Sequence, residues 1–178
     1  MRAIYLDCFS GLSGNMLLGA FLAAGMPLET LEAELRRLPM AAEFRLKVSS
    51  VKKNGIAATY VDVELLGEGH EHEHAQEHSC EHDHEPANEG AVPAHEHSHE
   101  HHHRTMRDVR AILERSSLSA EVKETSLKIF GVLAQAEGKV HGMMPEDVHF
   151  HEVGAVDSIV DIVGAAICLD YLEIEKVF

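Results

Sequence analysis

The sequence has no tryptophan, only 5% aromatic residues and only three cysteines among its 178 residues. Cys8, Cys80 and Cys168 are scattered and odd in number, which excludes a disulfide framework and predicts reduced thiols in the cytoplasm. No apolar run approaches the roughly 18 residues of a membrane-spanning helix. The first seven residues also lack the apolar core of a signal peptide, so we expect a chain that does not enter a membrane.

Positive charge is scarce as well. The chain has 15 Lys and Arg residues against 30 Asp and Glu, a formal net charge of −15, which argues against nucleic acid as a partner. The excess is uneven, because residues 70–103 hold eight Glu, one Asp and no basic residue, hence −9, which leaves −6 for the rest. An acidic chain rich in histidine instead favours divalent cations as partners.

The histidines are concentrated in one stretch, where twelve of the fifteen are separated mainly by Glu, Ala and Ser. Such a stretch has too few apolar residues to form a core, so we predict a disordered insertion at 66–104 in a globular domain built from 1–65 and 105–178. Clustered imidazoles beside carboxylates are typical ligands of Ni²⁺, Cu²⁺, Zn²⁺ or Co²⁺, and the alternative is a passive solvated linker. The predicted metal-binding residues of this stretch are His70, His72, His74, His78, His82, His84, His95, His97, His99, His101, His102 and His103.

A second group of metal-binding and acid–base residues lies in the last third of the chain. If the segment around His149 and His151 is extended, both imidazoles point to one side, roughly 7 Å apart at Cα and within reach of one ion. Glu152 follows, and Asp157 can then cap a helix on whose face Asp161 also lies. We predict a metal or proton-transfer site here. Its catalytic candidates are His149, His151, Glu152 and Asp157, and Asp161 is a predicted metal ligand. The structural alternative is that both aspartates only stabilise the helix N-terminus.

A loop rich in glycine and serine follows the first predicted strand. Asp7 ends that strand, and Ser10, Gly11, Ser13 and Gly14 lead into an apolar helix. The free N–H groups of such a loop and of a helix N-terminus can bind an anion such as phosphate. Asp7 is a candidate catalytic carboxylate that could hold a metal or a hydroxyl. The structural alternatives are a turn shaped by small residues and a carboxylate that caps the loop.

Hydrophobic periodicity predicts an α+β fold. The order of elements fits a mixed β-sheet covered by helices, with a βαββαβ-like arrangement as the candidate topology, interrupted by the histidine-rich insertion. The expected elements are a buried strand at 2–7, helices at 14–24, 27–38, 105–115, 119–140 and 157–171, a hairpin with strands at 44–52 and 57–65, and a strand beginning at 174.

Two motifs resemble the LarC family of nickel-insertion proteins, namely LDCFSGLSGNM at residues 6–16 and VHFHEVGAVDSIVD at residues 148–161. Ala136-Glu137, Val140-His141-Gly142 and an internal histidine-rich stretch fit the same family. The resemblance implies insertion of nickel into pyridinium-3,5-bisthiocarboxylic acid mononucleotide. That reaction forms two metal–sulfur bonds and one metal–carbon bond, consumes CTP, and completes the nickel-pincer nucleotide cofactor of lactate racemase.

The resemblance also assigns expected roles. The loop would bind the nucleotide phosphate, and His149, His151 or Glu152 would act as the base that removes a ring proton before the metal–carbon bond forms. The enzyme would be a CTP-dependent nickel chelatase of the lyase class, with Ni²⁺ bound here and CTP with Mg²⁺ or Mn²⁺ bound only by a C-terminal part. Expected partners are the mononucleotide, that C-terminal LarC piece, the cofactor-accepting racemase and a second copy of the chain.

Two departures from the family stand out. Asn15 stands where the family's loop usually has an aspartate, so no acidic role passes to Asn15. Family members are also about twice as long, so this chain resembles their N-terminal piece. We therefore expect the chain alone to be inactive in nickel insertion.

Two other functions are compatible with the residues. The chain can be a nickel store or metallochaperone without a catalytic site, which the histidine-rich stretch alone would support. It can also be a metal-dependent hydrolase that uses Asp7, His149, His151 and Asp157, with the stretch as a metal loader. Deletion of residues 70–103 discriminates, because a store then loses its function whereas an enzyme keeps its turnover when metal is abundant.

Overall fold

A computed structural model of the protein describes residues 1–9, 11–53, 55–66, 104–150 and 154–178. Within these ranges five α-helices and four strands surround one hydrophobic core, which confirms the predicted α+β class. No helix in the described part is both long enough and apolar enough to cross a membrane. The elements in chain order are β1 (Arg2–Ile4), α1 (Gly14–Ala23), α2 (Leu28–Leu35), β2 (Phe44–Lys53), β3 (Ile56–Leu65), α3 (Met106–Arg115), α4 (Ala120–His141), α5 (Val156–Tyr171) and β4 (Ile174–Val177).

The parallel and antiparallel pairings expected of a mixed fold lie in two separate two-stranded sheets in the described part. β2 and β3 form an antiparallel hairpin that pairs Phe44 with Leu65 at its open end, close to the predicted bounds of both strands. β1 and β4 are parallel, with Ile4 beside Val177, so the first and last strands of the chain meet. Helices cover the hairpin on one face, because α1 and α5 both pack against β3.

Two of the predicted elements are shorter than expected. β1 covers three residues and is largely exposed, so the prediction of a buried strand at 2–7 is wrong. Its only strand partner among the described residues is β4, which is itself at the surface. α2 ends at Leu35 rather than near Leu38, because the chain tightens there into a turn in which the Leu38 N–H donates to the Leu35 carbonyl at 3.1 Å.

Capping interactions define the start of α3 and both ends of α4. Thr105 and Asp108 form a capping box, in which the Thr105 N–H donates to the Asp108 carboxylate at 2.8 Å and the Thr105 hydroxyl accepts from the Asp108 N–H. The Ser119 hydroxyl accepts from the Val122 N–H at the start of α4. Gly142 ends α4 with a φ of 65°, which glycine adopts without steric strain. These caps determine where the chain turns toward His149.

Close backbone contacts hold α1 between β3 and α5. Gly19 of α1 lies so near the Thr59 carbonyl of β3 that a Cβ would overlap it. A Cβ on Gly164 of α5 would lie 3.0 Å from the Leu18 side chain of α1. Glycine at both positions therefore permits the approach that buries this part of the core. The largest fully buried side chains include Phe130, Phe150, Leu18, Leu31, Leu35, Leu113 and Ile159.

Glu43 joins the two chain segments that flank residues 67–103. The Leu66 N–H donates to the Glu43 carbonyl at 2.7 Å, and the Arg104 guanidinium lies 3.4 Å from the Glu43 carboxylate. The twelve histidines predicted to bind metal lie outside the described residues, as does the predicted insertion apart from its two end residues. The segments that enter and leave this stretch thus meet at one point of the fold.

Candidate functional site

The first turn of α1 lies directly against Asp161 of α5. A Cβ on Gly14 would lie 2.5 Å from Cβ and Cγ of Asp161, so glycine alone leaves room for the carboxylate. The backbone N–H of Asn15 donates a hydrogen bond to the same carboxylate. The other oxygen, Oδ1, is buried and has no hydrogen-bond partner among the described residues. Because a buried ionised oxygen without a partner is unfavourable, this atom is suited to bind a proton or a cation.

The surroundings of Asp161 change its protonation equilibrium. Burial, and secondly the negative charge of Asp157 one turn earlier, raise the pKa of Asp161 from 3.8 to about 6, while the bond from the Asn15 N–H opposes the shift. Asp157 and Asp161 therefore interact along one helix face, as their spacing predicted. A carboxyl group that titrates near pH 6 can exchange protons or bind a divalent cation close to neutral pH.

The start of α5 differs from the predicted one. Ala155 occupies the N-cap position with an extended backbone, so the prediction that Asp157 caps this helix is wrong. Asp157 instead lies exposed in the first turn, where its Oδ1 accepts a bond from the Ser158 N–H at 2.7 Å. A carboxylate in this position still interacts favourably with the helix dipole, and it remains open to solvent and to a ligand.

The glycine- and serine-rich loop leads into the contact with Asp161. Gly11 has a φ of 86°, and its N–H donates to the Cys8 carbonyl at 2.9 Å. Ser13 is at the N-cap of α1, but its hydroxyl donates to the Asn15 side-chain oxygen instead of capping the helix. No acidic residue lies in the first turn of α1. Asp161 thus supplies the negative charge that a helix N-terminus favours.

His149 lies on the surface at the start of α3. It forms an isolated antiparallel bridge with Thr105, and its two chain neighbours Val148 and Phe150 are buried. This alternation agrees with the predicted extended segment. The pKa of Asp108 is lowered chiefly by its bonds from Thr105 and to a smaller extent by the nearby His149 imidazole. The imidazole is therefore accessible to a ligand and close to a carboxylate.

Arg104 holds both ends of the short segment 151–153. Its carbonyl accepts a bond from the Phe150 N–H at 3.0 Å, and its guanidinium donates to the Gly154 carbonyl at 2.9 Å. A Cβ on Gly154 would lie 3.0 Å from the Phe150 side chain, so these anchor points also touch each other. Sequence reasoning missed Arg104, because its partner Gly154 is 50 positions away and no local spacing signals the contact.

The structure brings together Gly14, Asp157 and Asp161 of the predicted site residues. It places His149 at the bridge to Thr105, and Asp7 is exposed in the segment that follows β1, not at the end of a strand as predicted. Among the described residues no three His, Cys, Asp or Glu side chains are close enough to hold one metal ion. Ser10, His151 and Glu152 lie outside the described residues.

Comparison with known families agrees with the two sequence motifs. A family profile described as "Nickel insertion protein" matches residues 4–178. The chain belongs to the nickel insertion protein family. The resemblance inferred from the loop at residues 6–16 and from the segment at 148–161 is thereby confirmed.

Curated relatives match this chain over nearly its whole sequence. The Clostridium acetobutylicum protein named pyridinium-3,5-bisthiocarboxylic acid mononucleotide nickel insertion protein is 53% identical over 99% of the chain and 42% of its own length. Proteins of the same name from Akkermansia muciniphila and Clostridium kluyveri are 44% and 43% identical, covering 100% and 99% of the chain but 38% and 39% of their own lengths. The chain therefore spans about two fifths of the length of these relatives. No solved structure matches it.

Proposed function

We propose that this chain takes part in placing Ni²⁺ into pyridinium-3,5-bisthiocarboxylic acid mononucleotide, in the cytoplasm, as a CTP-dependent nickel chelatase of the lyase class. The product would be the nickel-pincer cofactor of lactate racemase. The names of relatives that are 53%, 44% and 43% identical support this substrate. The structural observation that carries the proposal is the buried, unpartnered Oδ1 of Asp161 beside the N-terminus of α1.

Asp161 and Asp157 are proposed to receive the incoming nickel ion, which is a substrate of the reaction. Above about pH 6 Asp161 is ionised, and a divalent cation between the two carboxylates relieves both their repulsion and the unfavourable burial of charge. Carboxylate oxygens are hard ligands, whereas the thiocarboxylate sulfurs of the nucleotide are soft and suit nickel better. The aspartates would therefore hold the ion weakly enough to release it to the nucleotide.

The loop of Ser10, Gly11, Ser13 and Gly14 is proposed to bind the nucleotide phosphate at the N-terminus of α1. A phosphate there and an ionised Asp161 would repel each other, because the α1 terminus is already in contact with that carboxylate. A nickel ion between the two anions removes the repulsion. Nickel and nucleotide are therefore expected to bind cooperatively at this site.

The nickel–carbon bond forms only after the pyridinium ring loses a proton, which requires a base. Among the residues that the structure describes, His149 is the candidate base, because its imidazole is exposed and its backbone is held by the bridge to Thr105. His151 and Glu152 are the further candidates from the same motif. Asp7 remains a proposed catalytic carboxylate on the side of the phosphate loop.

CTP and its Mg²⁺ or Mn²⁺ are proposed to bind the polypeptide that the relatives carry outside the matched stretch. The present chain has no GxxxxGK[ST] motif, and it carries a net charge of −6 even without residues 70–103. Both features are unfavourable for a triphosphate. The proposed partners are thus the mononucleotide, that further polypeptide, the racemase that accepts the cofactor, and a second copy of the chain.

Nickel insertion by purified components tests these roles. The assay combines the chain, the remaining polypeptide of the Clostridium acetobutylicum relative, CTP, Mg²⁺, Ni²⁺ and the dithiolated nucleotide, and it follows the nickel-loaded product by mass spectrometry. Asp161→Asn and His149→Ala are expected to lower the insertion rate at least tenfold. Asp170→Asn, at the exposed far end of α5, is the matched control and should leave the rate unchanged.

Two results would contradict the proposal. An unaltered rate with Asp161→Asn and with His149→Ala would show that neither side chain takes part in the reaction. Stoichiometric CMP and nickel-loaded product from the chain alone would show that no further polypeptide is required. Circular dichroism of each variant distinguishes a loss of function from a loss of fold.

A nickel store is the second candidate function, and the observation that favours it is the concentration of twelve histidines in residues 70–103. The two functions differ in their dependence on this stretch. A chain that lacks residues 70–103 should keep its insertion rate at saturating Ni²⁺ if it belongs to an enzyme. A store would instead lose its nickel capacity and would show no product at any nickel concentration.

A further inference from the structure

The parallel pair of β1 and β4 places two aromatic side chains next to each other at the surface. The Phe178 N–H donates to the Ile4 carbonyl at 2.9 Å, and the Leu6 N–H donates to the Phe178 carbonyl at 2.8 Å. In a parallel ladder these two bonds place Phe178 beside Tyr5, the residue between its two partners. We call this surface, made of β1, β4, Tyr5 and Phe178, the aromatic ribbon.

The aromatic ribbon is unusually exposed for its composition. Tyr5 is 77% exposed and Phe178 is 65% exposed, whereas Ile4, which alternates with Tyr5, packs against the core. The chain has only nine Phe and Tyr residues and no tryptophan. Four of the nine are buried in the core, and the other five are exposed, namely Tyr5, Phe9, Tyr60, Tyr171 and Phe178. Two neighbouring exposed aromatic residues in so aromatic-poor a chain indicate a binding surface.

The backbone of the aromatic ribbon is also incomplete as a sheet. Parallel strands normally lie inside larger sheets covered on both faces, and an isolated pair of strands is marginally stable in water. No third strand among the described residues pairs with β1 or β4. The open edge of the hairpin is different, because β2 carries the basic side chains that usually protect an edge, namely Arg45, Lys47, Lys52 and Lys53.

We propose that the aromatic ribbon is the docking surface for the polypeptide that the relatives carry outside the matched stretch. The matched stretch is the N-terminal part of those relatives, so in them the chain continues from the position of β4. The continuing chain would add a strand to the sheet of β1 and β4, and it would cover Tyr5 and Phe178 with an apolar face. This inference rests on the proposed need for that further polypeptide, and it does not depend on which residues bind nickel.

Hydrogen–deuterium exchange tests the proposal on intact chains. The amides of residues 2–6 and 174–178 are measured in this chain and at the aligned positions of the full-length Clostridium acetobutylicum relative. We expect exchange there to be at least tenfold slower in the relative, because a docked strand protects the edge. The outer edge of β2 is the internal control and should exchange alike in both proteins. Equal rates at the ribbon would overturn the proposal.

A binding experiment identifies the occupant. The remaining polypeptide of the Clostridium acetobutylicum relative is titrated against three forms of this chain. They are the unaltered chain, the double variant with Tyr5→Ser and Phe178→Ser, and the matched control Tyr60→Ser on the hairpin. The double variant should weaken binding at least tenfold, and Tyr60→Ser should not change it. Binding that survives the double variant would refute the docking surface. Self-association of the chain that only the double variant abolishes would assign the ribbon to a second copy and would also overturn the proposal.

The outcomes separate this inference from the proposed function. A protected ribbon together with normal insertion by Asp161→Asn would leave the docking surface intact and remove the proposed nickel site. Loss of insertion by Asp161→Asn with an unprotected ribbon would have the opposite meaning. Exchange and titration both proceed without nickel or nucleotide, so neither depends on the chemistry.

Discussion

Replacing Asp161 by asparagine should make the protein more stable at neutral pH. Asparagine has nearly the same volume and keeps an oxygen that accepts the bond from the Asn15 N–H, but it carries no charge to bury. It also removes the repulsion with Asp157. The same substitution is expected to lower the rate of nickel insertion at least tenfold, so stability and activity should change in opposite directions, as at other sites where function requires an unfavourable buried charge.

The size of the gain follows from the pKa. Burial first, and Asp157 second, raise the pKa of Asp161 from 3.8 to about 6, a rise of about 2, and each unit corresponds to about 1.36 kcal/mol. The full effect of about 3 kcal/mol is an upper limit, because Asp161 is only partly buried and solvent screens its charge. We therefore expect Asp161→Asn to raise the free energy of unfolding by about 1–2 kcal/mol at pH 7.5, or a few degrees in Tm.

The pH dependence identifies the cause of the gain. Because the folded-state pKa is above the unfolded-state value, the folded protein holds the proton on Asp161 between about pH 4 and pH 6. This carboxyl group thus favours the folded state below about pH 4, and its contribution is lost as the pH rises through about 6. The advantage of Asp161→Asn should accordingly be small near pH 4 and reach its maximum above pH 7.

Urea unfolding from pH 4 to pH 8 measures this difference directly. Asp170→Asn on the exposed end of α5 is the control, and its free energy of unfolding should stay within about 0.5 kcal/mol of the unaltered protein at every pH. Destabilisation by Asp161→Asn at pH 7.5 would refute the reasoning, because it would mean that the α1 terminus stabilises the ionised carboxylate by more than its burial costs. A gain that does not vary with pH would likewise exclude charge burial as its cause.

Three further predictions concern other parts of the fold. Gly14→Ala should lower the free energy of unfolding, measured in urea, by about 2–4 kcal/mol, because its Cβ would overlap Asp161. The control is Gly131→Ala in α4, whose Cβ would meet no atom within 4 Å and which should raise the free energy of unfolding by about 0.5–1 kcal/mol. Equal effects of the two substitutions would contradict the contact. Arg104→Met should lower the free energy of unfolding by about 1–3 kcal/mol, because the Gly154 carbonyl before α5 loses its partly buried donor. Thermal melting that shows no change would disprove this anchor. Calorimetry should show that the full chain binds several Ni²⁺ ions weakly above about pH 6.5 and that deletion of residues 70–103 removes most of these sites; unchanged stoichiometry would disprove metal binding by the histidines.

Local structure was predictable from the sequence because it depends on neighbouring residues. The capping box of Thr105 and Asp108 involves positions three apart, and the hairpin strands follow from alternation on either side of a tight turn. The shared face of Asp157 and Asp161 follows from the helical repeat alone. The N-cap of α5 was predicted wrongly, since Asp157 is a good capping residue but the backbone becomes helical one position before it.

The chemistry of the site was less predictable, because it depends on contacts between distant segments. The pKa of Asp161 is raised by burial against the first turn of α1, and neither helical periodicity nor motif spacing indicates that α1 and α5 meet at Gly14. The exposure of β1 has a similar origin. Its apolar residues suggested a buried strand, but pairing with β4 holds it at the surface. Composition and alternation report how apolar a segment is, and not which element covers it.

The two contacts at Glu43 have a consequence for metal supply. Because Leu66 and Arg104 both bond there, the middle of residues 67–103 can reach no further than about 60 Å from Glu43, whatever its conformation. If the histidines bind nickel as predicted, one ion confined within that radius has an effective concentration on the order of a millimolar. That concentration helps a site in the folded part only if the site and a histidine bind the same ion at once, because an ion released by the histidines equilibrates with the free nickel in solution.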